Sequence, residues 1–351
     1  MSAVRFSKIA IVGAGAIGGW MGVHLARAHF AGLHSAPAHS GAGVQVSVLA
    51  RGDTLAALQR DGLRLHQGGE LHTVPVQAAS DAAVLGVQDL VVISVKAPAL
   101  ASVAQQVGPL IGPNTVVLTA MNGVPWWFLQ GFGGPVAGRT LHAVDPDGAI
   151  ARALPAPHII GCVVHASCSV DAPGVIRHHF GDGLIVGEPS GQTTPRVQAL
   201  HALLQQAGFN ASVSPQIQKD IWYKLWGNMT INPISAFTGA TTDRILDDPL
   251  VRQFVSSVML EAKAIGARIG IPIDQQPEDR HAVTRKLGAF RTSMLQDVEA
   301  GKPVELDALV TAVRELGQLT DVQTPCTDVL LGLSRLHAQG RGLYGANRQS
   351  P

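Results

Sequence analysis

The apolar positions of this chain change their period once. Up to residue 214 they fall into short runs suited to strands, at 8–12, 44–49, 89–95, 115–119, 158–165, 183–187 and 211–214, with helical patterns between several of them and a helix over 195–207. Strands alternating with helices predict a mostly parallel sheet with helices on both faces, an α/β fold of doubly wound, Rossmann type. From Gln216 the strand pattern stops and the apolar period becomes helical, over 216–237, 249–269, 281–300, 305–319 and 324–337. The expected boundary is therefore near Pro215. Residues 1–215 form the α/β domain, 216–340 an all-helical second domain, and 341–351 a polar, Gly-containing tail expected to be disordered. Between the first helix and the second strand, Ala31 to Gly43 is rich in Ala, Gly, His, Ser and Pro where such folds need only a short link, and it reads as a surface insertion without chemistry.

The first strand runs directly into Gly13-Ala14-Gly15-Ala16-Ile17-Gly18, and a helical pattern follows through Trp20, Met21, Val23, Leu25 and Ala26. Strand, glycine turn and helix in this order fit a dinucleotide site. Gly13 makes the tight turn, Gly15 lets backbone approach a pyrophosphate, and Gly18 lets helix pack on strand. The free N–H groups opening the helix then receive phosphate. A purely structural glycine turn is the bland alternative. The cofactor is discriminated at the end of the second strand, where Arg51 follows Val44-Gln-Val-Ser-Val-Leu49 and Ala50. A guanidinium there suits a 2′-phosphate and favours NADPH over NADH. Asp53 dissents, either as a ribose ligand in a shifted register or as the N-cap of a helix starting at Thr54.

Composition narrows the class without choosing the chemistry. The chain has 351 residues, more than one core usually supports, and two domains are expected. With 26 basic and 25 acidic residues there is no electrostatic case for a nucleic-acid partner. Three cysteines, Cys162, Cys168 and Cys326, have neither metal spacing nor an even disulfide set, so a reducing cytoplasm is expected and no metal. No apolar run is long enough to span a bilayer and no signal region opens the chain, so no membrane partner is expected. His24, His29, His34 and His39 recur every fifth residue, which cannot gather them on one helix face, and they read as scattered surface histidines; His178-His179 likewise lacks metal-ligand spacing.

The segment Lys224-Leu-Trp-Gly-Asn228-Met-Thr-Ile-Asn232 carries the clearest chemistry. At about 100° per residue Lys224, Asn228 and Asn232 share a narrow arc of one helix. The residues around them, Ile221, Trp222, Leu225, Trp226, Met229 and Ile231, make the helix apolar nearly all round, as in a buried helix. An ammonium and two amides in such a helix must be paired, either in a network joining helices or with a ligand. Two further polar groups follow strand ends, where ligands sit in these folds: Lys96 after Leu90–Val95, and Asn122-Gly123 after Val116–Met121. Alone, each reads as a solvated lysine or a common turn. With Arg51 and the glycine loop they line one sheet edge, the expected cofactor crevice.

These motifs, with the late stretch Ser293-Met-Leu-Gln-Asp-Val-Glu-Ala-Gly-Lys-Pro-Val-Glu305, resemble the ketopantoate reductase (2-dehydropantoate 2-reductase) family over nearly the whole chain. The resemblance implies an NADP-dependent oxidoreductase acting on a CH-OH group, which reduces 2-dehydropantoate to pantoate in pantothenate and coenzyme A biosynthesis. It makes Lys224 the catalytic lysine and Asn122, Asn228, Asn232, Ser293 and Thr242 substrate contacts. By the same resemblance Glu305 is the acid that reaches cofactor and substrate from the helical domain, Arg51 and Lys96 contact NADPH, and Asn122 also lies against the cofactor. The first domain is then the NADP-binding one and the second the substrate and catalytic one, closing over the cleft to exclude water. A homodimer is a candidate assembly.

The chain departs from the family at Met121, where a glutamine is common, and at Val124-Pro125-Trp126-Trp127-Phe128. That aromatic cluster reads either as core under the sheet edge or as a reshaped pocket for a different 2-oxo acid. Two other functions stand beside the reductase. An opine or hydroxyacid dehydrogenase would use a histidine-centred acid/base set, and no histidine here sits near a matched motif. A non-enzymatic NADPH sensor could keep the glycine loop and lose Lys224 or Glu305, yet this chain has both.

Overall fold

The computed structural model describes residues 4–33 and 44–345. The chain divides into two compact units, Met1–Met121 with Ala149–Ile217, and Asn122–Gly148 with Gln218–Pro351. The linear division drawn at Pro215 keeps 122–148 with the sheet, whereas the contacts of that stretch group it with the helices.

The first unit runs β1 (Lys8–Val12), α1 (Ala16–Leu33), β2 (Gln45–Leu49), α2 (Gly52–Asp61), β3 (Leu63–Gln67), β4 (Glu70–Val74), β5 (Gln77–Ala79), α3 (Ala82–Leu85), β6 (Leu90–Ile93), α4 (Leu100–Ala104), β7 (Val116–Thr119), α5 (Ala149–Ala153), β8 (Ile159–Ala172), β9 (Val175–Gly187), α6 (Pro195–Gln206) and β10 (Asn210–Val213). The sheet order is β4-β3-β9-β8-β7-β6-β1-β2-β5, with β10 beside β9. It is a mixed sheet dominated by parallel pairs; β3/β4 and β8/β9 are antiparallel. The central strands β6 and β7 are buried at every position and β1 at all but Lys8, the continuous apolar reading of strands covered on both faces. Strand order reverses at β1, which pairs with β2 on one side and β6 on the other, so the loops after β1 and β6 flank the switch point where ligands bind in such sheets.

Three strands, β3 to β5, escaped the apolar pattern. Only Leu63, Leu65, Val74 and Ala79 of these strands are buried, too few for a run. The hairpin is nonetheless written in Gly68-Gly69, whose φ values of 60° and 86° suit a two-residue turn between alternating flanks. β8 and β9 extend well beyond the expected 158–165 and 183–187: their outer halves carry His, Ser, Asp and Arg, and Ile176 is the single buried residue there, too thin a pattern to mark a strand. His24 is not a surface histidine. It is half-buried, with Nδ1 3.0 Å from the Ala207 carbonyl and Nε2 2.9 Å from Gln67 Oε1. His34, His39, the His29 side chain and most of the expected insertion lie outside the described residues; α1 itself runs to Leu33.

The second unit holds α7 (Ile217–Thr238), α8 (Thr242–Asp247), α9 (Pro249–Arg268), α10 (Pro277–Arg285), α11 (Ser293–Glu299), a π turn (Asp307–Thr311) leading into α12 (Ala312–Leu319), and α13 (Pro325–Gly340). The single helix expected over 281–300 is two. The chain turns at Gly288, with φ 62°, and restarts where the Thr292 side chain accepts the Leu295 N–H at 3.2 Å. Of the expected tail, residues 341–345 are described and Leu343 is buried. Trp126, Trp127 and Phe128 are buried, and the Phe128 ring lies 6.0 Å from that of Trp222 on α7. The aromatic cluster is thus core, and its contacts group it with the helical unit.

Candidate functional site

In the sheet unit the chain leaves β1 through the glycine loop and enters α1. The first helical hydrogen bond joins Gly19 N–H to Gly15 O at 2.8 Å, which leaves the N–H groups of Ala16, Ile17 and Gly18 without intrahelical partners. A Cβ on Gly18 would stand 2.1 Å from both the Gly13 carbonyl and Ser94 Oγ, so only glycine lets α1 start this close to the loop. Ser94, just past β6, donates to Gly13 O at 2.9 Å and stitches the loop to the neighbouring strand end. A Cβ on Gly15 would meet nothing within 4 Å, so the loop surface there is open. Free helix-terminal donors beside an open, side-chain-free surface fit a dinucleotide pyrophosphate.

Arg51 and Lys96 both follow strands of this sheet and both are exposed. Arg51 is the N-cap of α2 in extended conformation, and its side chain makes no cap bond. α2 begins at Gly52, so Asp53 is an exposed residue of the first turn and not the N-cap. Lys96 stands at the start of a 3-10 turn over Ala97–Ala99.

In the helical unit, packing fixes which way α7 faces. Trp226 Nε1 donates to the Met259 carbonyl of α9 at 2.6 Å, and Trp222 lies against Gly266 of α9, where a Cβ would come within 2.5 Å of its Nε1. Each tryptophan is two residues before a polar one, and about 200° of helical rotation puts Lys224 and Asn228 on the side away from α9. Lys224 and Asn228 are half-buried and Asn232 is 8% exposed. Lys224 Nζ donates to Asn122 Oδ1 at 2.8 Å across 102 residues of sequence. A half-buried cation, Arg280, borders the same helix: its guanidinium lies about 3 Å from where a Cβ on Gly227 would be and 5.7 Å from the Tyr223 ring, and burial pushes its pKa down. Periodicity gives no sign of Arg280; the local sign of this slot is Gly227, a glycine inside a buried helix.

Asn122 is held by its neighbours. Gly123 has φ 83°, and a Cβ there would be 2.7 Å from Ala308, while Val124 N–H donates to the Ala308 carbonyl at 2.8 Å. Ala308 sits in the π turn, and Glu305, buried at 8% exposure, stands two residues before that turn. Ser293 is the exposed first residue of α11. Thr242 is 1% exposed and donates its hydroxyl to Gly288 O at 2.6 Å, which leaves it only acceptor capacity. Lys224 and Asn122 are therefore brought into direct contact, Asn228 and Asn232 share their helix, and Thr242 is committed to a structural bond. Among the described residues no group of three His, Cys, Asp or Glu could hold a metal.

A Rossmann-type sheet with a dinucleotide loop, joined in sequence to an all-helical unit carrying a lysine and amides, defines an NAD(P)-dependent oxidoreductase. The ketopantoate reductase PanE/ApbA family model matches residues 9–191, and the ketopantoate reductase PanE/ApbA C-terminal model residues 216–338. The 2-dehydropantoate 2-reductase of Mesorhizobium japonicum is 45% identical over 337 residues, 96% of this chain and 99% of that one. A crystal structure from Ralstonia solanacearum, described only provisionally as a ketopantoate reductase, matches with a TM-score of 0.90 and 56% identity over 97% of this chain and 100% of its own. The 2-dehydropantoate 2-reductase of Geobacter metallireducens matches with a TM-score of 0.78 and 26% identity over 94% and 99%. The chain belongs to the ketopantoate reductase family.

Proposed function

We propose that this protein reduces 2-dehydropantoate to pantoate with NADPH. The observation that carries the reading is the Lys224 to Asn122 hydrogen bond at 2.8 Å on the α7 face that also bears Asn228 and Asn232. When bound, the nicotinamide supplies the hydride that adds to the ketone carbon. The chain's own residues supply the remaining elements. Lys224 offers an ammonium to the ketone oxygen and delivers the proton that completes the alcohol, while Asn122 Oδ1 fixes the direction of that ammonium. Asn228 and Asn232 cannot titrate, so their amides position the substrate's carboxylate and hydroxyl groups, with Ser293 as a further donor. Glu305 is the acid of this set, and its carboxylate would accept from the substrate's hydroxyl groups. Arg51 pairs with the 2′-phosphate and Lys96 with the neighbouring ribose and phosphate, which is the basis of the NADPH preference.

We place the reaction in the cytoplasm, supported by the three free thiols Cys162, Cys168 and Cys326. Among the described residues no helix is long and apolar enough to cross a membrane. The test is NADPH oxidation by the purified chain with 2-dehydropantoate and a panel of other 2-oxo acids, with product identification. The expected result is stoichiometric pantoate and the highest kcat/KM for 2-dehydropantoate. A higher value for another 2-oxo acid reassigns the substrate, and cofactor binding without any turnover favours a sensor.

A further inference from the structure

Glu305 sits at an awkward place in the chain. The residues between α11 and the π turn have no regular structure, so no helix fixes Glu305 from its N-terminal side. On its C-terminal side a single α-type bond, Leu309 N–H to Glu305 O at 3.2 Å, overlaps the start of the π turn. A π turn holds one residue more than an α turn, and relaxing it to α geometry rotates the preceding residue by about 100°. A buried carboxylate carried on such a segment takes its direction in part from whatever fixes the turn.

The residues just past α13 make that connection. Leu343 is anchored to the helix end by its N–H to the Ala338 carbonyl at 2.8 Å. Its own carbonyl accepts the Val304 N–H at 3.1 Å, one residue before Glu305. The Tyr344 hydroxyl donates to Asp307 Oδ1 at 2.6 Å, two residues after it, and Thr311 Oγ1 donates to the same oxygen at 3.2 Å. Asp307 and Thr311 are the first and last residues of the π turn. The strap 338–344 thus grips the chain on both sides of Glu305, and Tyr344 is half-buried, where a hydrogen bond to a carboxylate is stronger than in water.

We propose that Tyr344 is a positioning residue of the reductase, holding Glu305 in its working direction through Asp307 and the π turn. The inference rests on the reading of Glu305 as an acid of the site. It assigns a catalytic consequence to a residue near the end of the chain that has no chemistry of its own in the reaction.

The test uses the full chain and five variants, Tyr344→Phe, Asp307→Ala, Asp307→Asn, Glu305→Gln and the Tyr344→Phe/Asp307→Ala double, with kcat, KM for 2-dehydropantoate and melting temperature measured on each. Tyr344→Phe keeps the ring and removes the donor; Asp307→Asn keeps an oxygen acceptor. Misplacing Glu305 should lower kcat by roughly 5- to 50-fold in Tyr344→Phe and in Asp307→Ala, with KM changed less than about threefold. Asp307→Asn should restore kcat to within about twofold, and the Tyr344→Phe/Asp307→Ala double variant should be no worse than either single one. A kcat per folded enzyme that is unchanged in Tyr344→Phe while Glu305→Gln is inactive overturns the strap and leaves the reading of Glu305 standing. Full turnover in Glu305→Gln overturns both. A lowered melting temperature with normal kcat below the transition makes Tyr344 merely structural and also overturns the proposal.

Discussion

The two units meet charged ligand groups with different materials. In the sheet unit the glycine loop offers backbone: N–H groups at the start of α1 and a surface bared at Gly15. In the helical unit the candidate contacts are side chains, Lys224, Asn122, Asn228, Asn232 and Glu305, drawn from segments as far apart as residues 122 and 305. Backbone recognition leaves almost no conservative substitution, since any Cβ changes it. Side-chain recognition can be removed atom by atom while the helices stay packed through Trp222 and Trp226. Loss of cofactor binding and loss of turnover should therefore separate cleanly between the units.

The sharpest way to break this contrast is at the glycines. Gly18→Ala forces a Cβ to 2.1 Å from the Gly13 carbonyl, so it should destabilise the fold as well as weaken NADPH. The expected loss is about 1–3 kcal/mol, the range for overpacking, read by denaturant unfolding. Gly15→Ala meets no protein atom, so it should leave stability unchanged and weaken NADPH alone, as measured by fluorescence titration. Equal destabilisation in both variants would show that the loop is merely structural. A narrower effect, confined to the choice of cofactor and leaving stability unchanged, is expected at Arg51, which would pair with the 2′-phosphate. Arg51→Ala should narrow the preference for NADPH over NADH by about 1–3 kcal/mol, mostly through weaker NADPH binding. Equal affinities for the two cofactors in the unsubstituted protein would remove the basis for this expectation.

The smallest effect is one the units share. Burial lowers the pKa of His24 in the sheet unit and His281 in the helical unit from 6.5, and Ser256 Oγ lies 2.9 Å from His281 Nε2. Between each lowered value and 6.5 the unfolded chain binds more protons than the folded one. Their contribution to stability is therefore complete above that pH and declines as pH falls through the window. Melting temperatures across the acid range should fall less steeply in His281→Gln than in the parent.

The same contrast explains what the sequence could tell. A glycine loop is contiguous, its spacing fixed by local backbone geometry, and β1, α1, β6 and β7 announce themselves as buried runs beside it. The α7 arc was legible because helical periodicity places Lys224, Asn228 and Asn232 on one face. Legibility ends where a contact depends on distant chain. Nothing in the Asn122-Gly123 pair says that it packs on Ala308, and nothing in Asp307 says that its partner is Tyr344. The π turn also lies beyond periodicity, because 305–319 reads as an ordinary helix until one residue is found to be inserted. Thr242 was placed by family position alone, and its hydroxyl serves the Gly288 carbonyl. Gly68-Gly69 is the exception, a local signal for a hairpin that the thin apolar pattern around it obscured.

Lys224 bears most directly on the central claim, that a side-chain site in the helical unit performs chemistry on a substrate while the sheet unit binds the cofactor. The decisive measurement is kcat, melting temperature and NADPH affinity together in Lys224→Ala. The account predicts a fall in kcat of roughly 10²- to 10⁴-fold, the usual worth of a general acid, with folding and NADPH binding close to those of the parent. A destabilised protein with nearly normal turnover would contradict it, and would make the Lys224 to Asn122 hydrogen bond a packing contact between two segments of the helical unit.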